Sequence, residues 1–357
     1  MRQYAATLCL FVLAVGANAE LIYQKPPQAV LDVLDAPPTP AVSVSPARTH
    51  MLLAQGERNP PIAAIAEPML RLAGLRISPQ TNGLHAARNF IALTLKRLDD
   101  GSETKIVLPP SPQLGMPRWS PDGKHFAFTN TVKTGIELWV GDTAAGQVRK
   151  LAGIAVNGVV GGGGRFGGAE TFQWMRDNRT LFVRTVPAGR GKPPAAPAVP
   201  SGPHVEESEG NAGPVATFED LLTSPHDEDL FDYYAAAQAS LVDTLTGKGT
   251  PLGKPGVFTV ADPSPDGRCF LMARLHRPYS YVHTLMSFPK DVEVWDRTGQ
   301  VAYTLAKLPL ADRVPMEGVP TAYVVHHITG SMRSPLLCGV GGVQHRFAAE
   351  SERFRFP

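Results

Sequence analysis

Trp119-Ser120-Pro121-Asp122-Gly123 runs straight into an apolar stretch, His125 to Phe128, and the phrase returns as Pro263-Ser264-Pro265-Asp266-Gly267 ahead of Cys269 to Met272. Trp174-Met175-Arg176-Asp177-Asn178, ahead of Leu181 to Val183, is a worn copy. Ser45-Pro46, running into Met51 to Leu53, reads as a first and poorer one. In the three clear copies an Asp-Gly or Asp-Asn pair supplies the positive φ of a tight turn, and a short apolar strand follows. A strand-turn unit recurring at irregular, blade-like spacing predicts an all-β chain built as a β-propeller.

Outward from these phrases the pattern holds. Gly135 to Val140 is a strand with Trp139 near its end, Gly141-Asp142 opens a turn, and Gln147 to Leu151 returns. Val292 to Asp296 with Val301 to Leu305, and Ser240 to Asp243 with Thr250 to Leu252, repeat the plan. These are expected to be outer hairpins of blades, their tryptophans filling the space between blades rather than binding a ligand. Val42 to Gln55 has strand character. Phe90 to Leu98, the turn Asp99-Asp100-Gly101-Ser102 and a return at Lys105 to Leu108 read as another hairpin. Glu67 to Leu75 fits a helical turn or an edge strand equally well. Phe218 to Leu222 and Asp227 to Tyr234 read as short helices.

Bulk properties agree. The 357 residues are 43% hydrophobic and 18% charged, enough to build a core, and a net charge of +2 is too small for a nucleic-acid footprint. The 34 Pro and 34 Gly suit many short strands and turns. Residues 187–215 break the rhythm: they are rich in Pro, Gly and Ala, carry Glu206, Glu207 and Glu209, and are expected to form an exposed, disordered insertion.

The N-terminus reads as a signal peptide, 1–19. Arg2 is the positive start, Ala5 to Val15 the apolar run, and Ala17-Asn18-Ala19 the cleavage site. The alternative is an uncleaved anchor, although the run falls short of the ~20 residues that span a bilayer. A periplasmic or secreted mature chain without a membrane segment is expected. It opens with a Pro-rich, extended segment, 20–41. Cleavage removes Cys9 and leaves Cys269 and Cys338, so at most one disulfide. Cys269, mid-strand, reads as a small buried hydrophobe rather than a reactive thiol.

Other motifs have plain explanations. Gly162-Gly163-Gly164-Arg165-Phe166-Gly167 fits G-x-G-x-x-G, but a strand follows where a dinucleotide site needs a helix. His226-Asp227-Glu228-Asp229, with Glu219 and Asp220 nearby, lacks the alternation and glycine of a calcium loop and reads as a solvated helix start. His326-His327 would point to opposite strand faces. No serine carries the flanking glycines of a nucleophile elbow. No catalytic residue, cofactor or metal is therefore assigned.

The phrases Glu67-Pro68-Met69-Leu70-Arg71-Leu72-Ala73-Gly74-Leu75-Arg76-Ile77, Phe172-Gln173-Trp174-Met175, Asp232-Tyr233-Tyr234 and Asp262 to Gly267 resemble the prolyl-oligopeptidase family of serine peptidases, in its glutamyl-endopeptidase-like branch. His276 to Tyr281, Phe288-Pro289-Lys290 and Val292 to Asp296 extend the resemblance over roughly Tyr23 to Pro320. The resemblance implies an N-terminal propeller, here 42–320, that gates a C-terminal α/β-hydrolase domain carrying the triad. It also implies peptide hydrolysis after Glu. No position here matches the triad, so the chain alone is expected to be non-catalytic. Its expected partners are peptide substrates or a hydrolase domain supplied elsewhere, not nucleic acid. Specificity for Glu calls for a cationic pocket. Arg274 and Arg277 are the substrate-binding candidates, against a surface or structural role for both. Residues 321–357, without Trp or an Asp-Gly turn, read as an atypical tail, a truncated or out-of-frame end. Five or six blades are expected, in an open or incomplete ring that exposes a sheet edge and is prone to aggregate. The competing reading of function is a periplasmic interaction propeller with a docking role.

Overall fold

The computed structural model describes residues 25–87, 89–161, 170–198 and 218–311. The chain divides into two compact units, Met1–Pro37 and Pro38–Pro357. In the first, the expected extended segment is interrupted by helix α1, Gln28–Asp35. These eight residues contain neither Pro nor Gly, and Gln28 Nε2 donates to Asp32 Oδ1 one turn on at 2.7 Å.

The second unit is a row of four-stranded antiparallel sheets. Blade 1 holds β1 (Ala41–Val44), β2 (His50–Gly56), then, after an intervening small sheet of β3 (Leu70–Leu72), β4 (Leu75–Ser78) and β5 (Gly83–Leu84), β6 (Phe90–Arg97) and β7 (Glu103–Lys105). Blade 2 is β8 (Arg118–Trp119), β9 (His125–Val132), β10 (Gly135–Asp142) and β11 (Val148–Ala155). Blade 3 is β12 (Phe172–Trp174), β13 (Thr180–Thr185), β14 (Gln238–Asp243) and β15 (Gly249–Pro251). Blade 4 is β16 (Val257–Pro263), β17 (Cys269–Leu275), β18 (Lys290–Asp296) and β19 (Val301–Leu308). Helices α2 (Ile62–Ile65) and α3 (Pro225–Ala235) lie in connections.

The recurring phrase joins the first and second strand of every blade by one hydrogen-bond scheme. Ser45, Ser120, Met175 and Ser264 each donate their N–H to the carbonyl five residues on. The residue three further on, Arg48, Gly123, Asn178 or Gly267, has positive φ. The Ser120 and Ser264 hydroxyls donate to Asp122 and Asp266 at 2.6 Å and accept the N–H of His125 and Cys269. Met175 has no hydroxyl, and Asp177 alone accepts from Arg179 N and Thr180 N. The worn copy keeps the turn because the aspartate suffices.

Four complete sheets among the described residues are fewer than the five or six blades expected. Chain length was absorbed by the connections, chiefly 57–89 with its own three-stranded sheet, 186–237 with α3, and 276–289. Two finer expectations also change. The return strand is β7, Glu103–Lys105, rather than Lys105 to Leu108, and beyond it the Ile106 N–H still donates to the Leu93 carbonyl. Residues 218–222 are not helical: Asp220 has φ +59°, and the helix begins only after Ser224, whose hydroxyl accepts from Asp227 N.

Blades pack through apolar faces in sequence order. Leu52, Leu93 and Leu95 of blade 1 meet Phe126 and Phe128 of blade 2. Ala127, Leu138 and Leu151 of blade 2 meet Phe172, Leu181 and Val183 of blade 3. Phe182 and Ala239 of blade 3 meet Phe258, Phe270, Met272 and Trp295 of blade 4. The tryptophans fill these seams as expected. Trp119 Nε1 reaches Ser43 on blade 1, and Trp174 Nε1 reaches the Arg118 carbonyl on blade 2.

Candidate functional site

Strand direction gives the four-bladed array two unlike ends. The first and third turns of each blade lie at one end, tight and regular. The long connections leave the other end, where blade 2 alone joins its second and third strands by a tight turn, at Lys133-Thr134. There β3, β4, residues 157–160, Leu222, α3 and 275–288 pack together over a shared apolar cluster that includes Leu72, Ile77, Phe231, Tyr234, Leu285 and Phe288. The Ala73-Gly74 turn of the β3–β4 hairpin fits under this cap only with glycine: Gly74 has φ +86°, and a Cβ there would stand 2.6 Å from the Thr284 methyl. Polar ties fix the cap to the blades. Asn82 and Asn157, both buried, donate to the Tyr234 carbonyl at the end of α3.

Arg277 lies in this cap. Its Nε donates to Asp232 at 2.9 Å, Nη2 to Asp229 at 2.7 Å, and Nη1 stands 3.0 Å from Glu228, all on α3. The hydrogen bond to Asp229, with Asp232 and Glu228 alongside, holds the guanidinium pKa above its ordinary value. The Tyr279 hydroxyl donates to Asp232, and burial together with that bond pushes the phenol upward. Arg274, on β17, faces Glu293 at 3.5 Å and Asp291 at 3.9 Å on β18. Both sequence candidates are thus matched to carboxylates of the fold itself, the arrangement of a structural arginine.

A cavity of about 250 Å³ opens at the same end, lined by Ser78, Thr81, His85, Gln113, Arg118 and Glu170 among others. Arg118 pairs with Glu170 there, and the buried His85 Nε2 has no hydrogen-bond partner. No described serine hydroxyl contacts a histidine ring, and among the described residues no cluster of His, Cys, Asp or Glu could hold a metal. No described helix is long and apolar enough to cross a membrane. Asp227 and Glu228 sit in the first turn of α3, but Glu228 and Asp229 are paired with Arg277 rather than simply solvated. The Gly162–Gly167 motif, His326-His327, the signal segment and the 321–357 tail lie outside the described residues.

No family model matches the chain. A probable chloroplastic glutamyl endopeptidase of rice is 35% identical over 315 residues, which is 84% of this chain and 32% of that protein. Its Arabidopsis thaliana counterpart is 38% identical over 318 residues, 85% and 32% respectively. This chain is a glutamyl-endopeptidase homologue of the prolyl-oligopeptidase family. It spans about a third of the length of those relatives. Among solved structures, the β-propeller domain of a trilobed protease from Pyrococcus furiosus aligns with TM-score 0.38 and 13% identity, over 76% of this chain and 57% of that one. A Pyrococcus horikoshii acylaminoacyl peptidase aligns with TM-score 0.39 and 15% identity, over 72% and 31%. Likenesses this distant add nothing to the assignment.

In this glutamyl-endopeptidase homologue, Arg277 is a strut between α3 and the connection that follows β17. Arg277→Met is expected to cost roughly 1 kcal/mol, since the cluster is half exposed and screened. The urea midpoint should fall in low salt and nearly recover in 1 M salt. A signal that the sequence reading passed over is Glu137-x-Trp139 and Glu293-x-Trp295. In each, the indole N–H donates to the glutamate two residues before it, at 2.9 and 2.8 Å. The two pairs occupy equivalent third strands, so they are a repeat of the blade and not a site.

Proposed function

We propose that this chain is the substrate-gating propeller of an exported serine peptidase whose bond-breaking chemistry resides elsewhere. In intact relatives that chemistry is acyl transfer by a serine that a histidine activates, with hydrolysis after glutamate as the outcome. The observation that carries this reading is the 35–38% identity to two glutamyl endopeptidases across some five-sixths of the chain. The capped end is the gating end in this reading. β19 ends there, and the connections that vary most in length leave from there.

The isolated chain should remain unlabelled by a fluorophosphonate serine-hydrolase probe, while a full-length glutamyl endopeptidase treated alongside is labelled. Specific labelling of this chain would overturn the proposal. Export adds a second check: the mature protein should begin at Glu20, and a retained Met1 would exclude leader removal. The docking alternative has no structural observation in its favour. Recovery of one defined non-peptidase partner from a periplasmic extract would support it.

A further inference from the structure

The third turns of blades 2, 3 and 4 are built alike. Gly146, Gly247 and Gly299 each have positive φ and donate their N–H to the carbonyl of Asp142, Asp243 or Asp296. Their contacts with the preceding blade are not alike. A Cβ on Gly146 would stand 3.1 Å from the Thr104 methyl of blade 1, and one on Gly299 only 2.0 Å from Gly253 N, just after β15 of blade 3. For Gly247 the nearest atom of blade 2 is the Ala152 carbonyl oxygen, at 3.8 Å. The residue before each aspartate differs accordingly. Blade 4 has Trp295, which fills its seam against Phe258. Blade 2 has Gly141, under the Phe126 ring. Blade 3 has Val242, with no ring to fill the seam with blade 2.

That seam is therefore slack at the end opposite the cap, and a cavity of about 420 Å³ opens there, a volume suited to a small molecule. Blade 2 contributes His125, Val140 and Arg149 to its wall, and blade 3 contributes Asn178 and Leu245. Val140 and Arg149 are register partners on β10 and β11, so an apolar side chain and a guanidinium stand side by side. Leu245, 66% exposed, forms an apolar rim opposite them. The charges in the wall differ in how far they are committed. Arg179 is taken by Asp243 through Nε and Nη2, at 2.7 and 2.6 Å. Asp142 is turned in on its own turn, where it accepts from Ala144 N and Ala145 N, with His125 Nδ1 at 3.5 Å. Arg149 pairs with no carboxylate among the described residues, and its Nη2 donates to the Thr244 carbonyl. Asn178 accepts the Asp122 N–H through Oδ1, which leaves its amide NH2 to donate.

We propose that the slot between blades 2 and 3 is a binding site for a small organic carboxylate with an apolar body. The carboxylate pairs with the Arg149 guanidinium, whose planar fork suits it, and the body lies against Val140 and Leu245. Blades 1–2 and 3–4 cannot repeat the site, because Phe126 and Trp295 fill their seams. The slot lies at the opposite end of the blades from the cap, so the site stands or falls separately from the gating role.

Saturation-transfer NMR titration of the full chain tests this, with N-acetyl-leucine as the probe in low-salt buffer. The acid should bind with a Kd of about 1 mM or tighter. N-acetyl-leucinamide keeps the body and lacks the charge, and should bind about tenfold more weakly. Arg149→Met should weaken binding of the acid by about the same factor. Because Arg149→Met also loses the tie to Thr244, a second variant leaves that tie in place. Ala145 lines the slot from an exposed turn, and Ala145→Trp should fill it and abolish binding with the urea midpoint unchanged. Absence of binding at about 10 mM acid would overturn the site. So would equal binding of acid and amide, or undiminished binding to a folded Ala145→Trp.

Discussion

Replacing Arg184 with alanine is expected to lower the unfolding free energy by about 3 kcal/mol, one of the two largest effects of any single substitution proposed for this chain. Arg184 lies on β13, is 1% exposed, and points into the seam between blades 3 and 4. Its Nη1 donates to the Val160 carbonyl at 2.5 Å and to the Phe258 carbonyl at 2.9 Å, tying blade 3 to the cap and to blade 4. Removing it strands two buried carbonyls, at roughly 1–3 kcal/mol each, and opens a cavity. Part of that loss is offset, because the wild-type guanidinium is itself costly. Nε and Nη2 have no partner, and desolvation brings its pKa down to about 10. Arg184→Met, which keeps the volume and sheds the charge, should therefore lose about half as much as the alanine variant. The sign of the pH dependence follows. Between about 10 and the ordinary arginine value the unfolded chain binds the extra proton, so wild-type stability gains with rising pH relative to Arg184→Met. Equal urea midpoints for Arg184→Ala and wild type at pH 7 would exclude this role for the side chain.

Arg184 also shows where sequence reading stops. The propeller was legible because its signals are local. Ser120-Pro121-Asp122-Gly123 and Ser264-Pro265-Asp266-Gly267 carry their own hydrogen-bond partners within five residues, and the outer turns at Asp142, Asp243 and Asp296 do the same. Cap and seams are non-local. Asn82 and Tyr234 are 152 residues apart in sequence and share one hydrogen bond. β3 and β5 are too short for alternation to register, so the small sheet was invisible as a sheet. Arg274 and Arg277 stood out by family likeness, while their carboxylate partners lie on other elements and only folding brings them together. Arg184, within Thr180–Thr185, reads as an outward strand residue until blade 4 is placed beside it.

The second large effect lies at the seam between blades 1 and 2. Phe126 is fully buried, meets Trp119 edge-on at 5.8 Å between centroids and lies beside Phe128 at 6.2 Å. Phe126→Ala should cost about 3–5 kcal/mol through lost burial and the cavity left behind. Its cross-strand partner is Gly141, and the ring occupies the space a side chain would need. A Cβ on Gly141 would stand 2.2 Å from Phe126 Cζ. Gly141→Ala in the wild-type background should thus cost roughly 3 kcal/mol by overpacking, because the ring is held on its other side by Trp119 and cannot retreat. In the Phe126→Ala background the obstruction is gone, and the methyl partly fills the cavity. Gly141→Ala should there be close to neutral, so the double variant is more stable than the sum of the two single losses by about 2–3 kcal/mol. Strictly additive losses in urea denaturation would mean that glycine is kept at 141 by the backbone and not by the ring, and the packing account of this seam would fail.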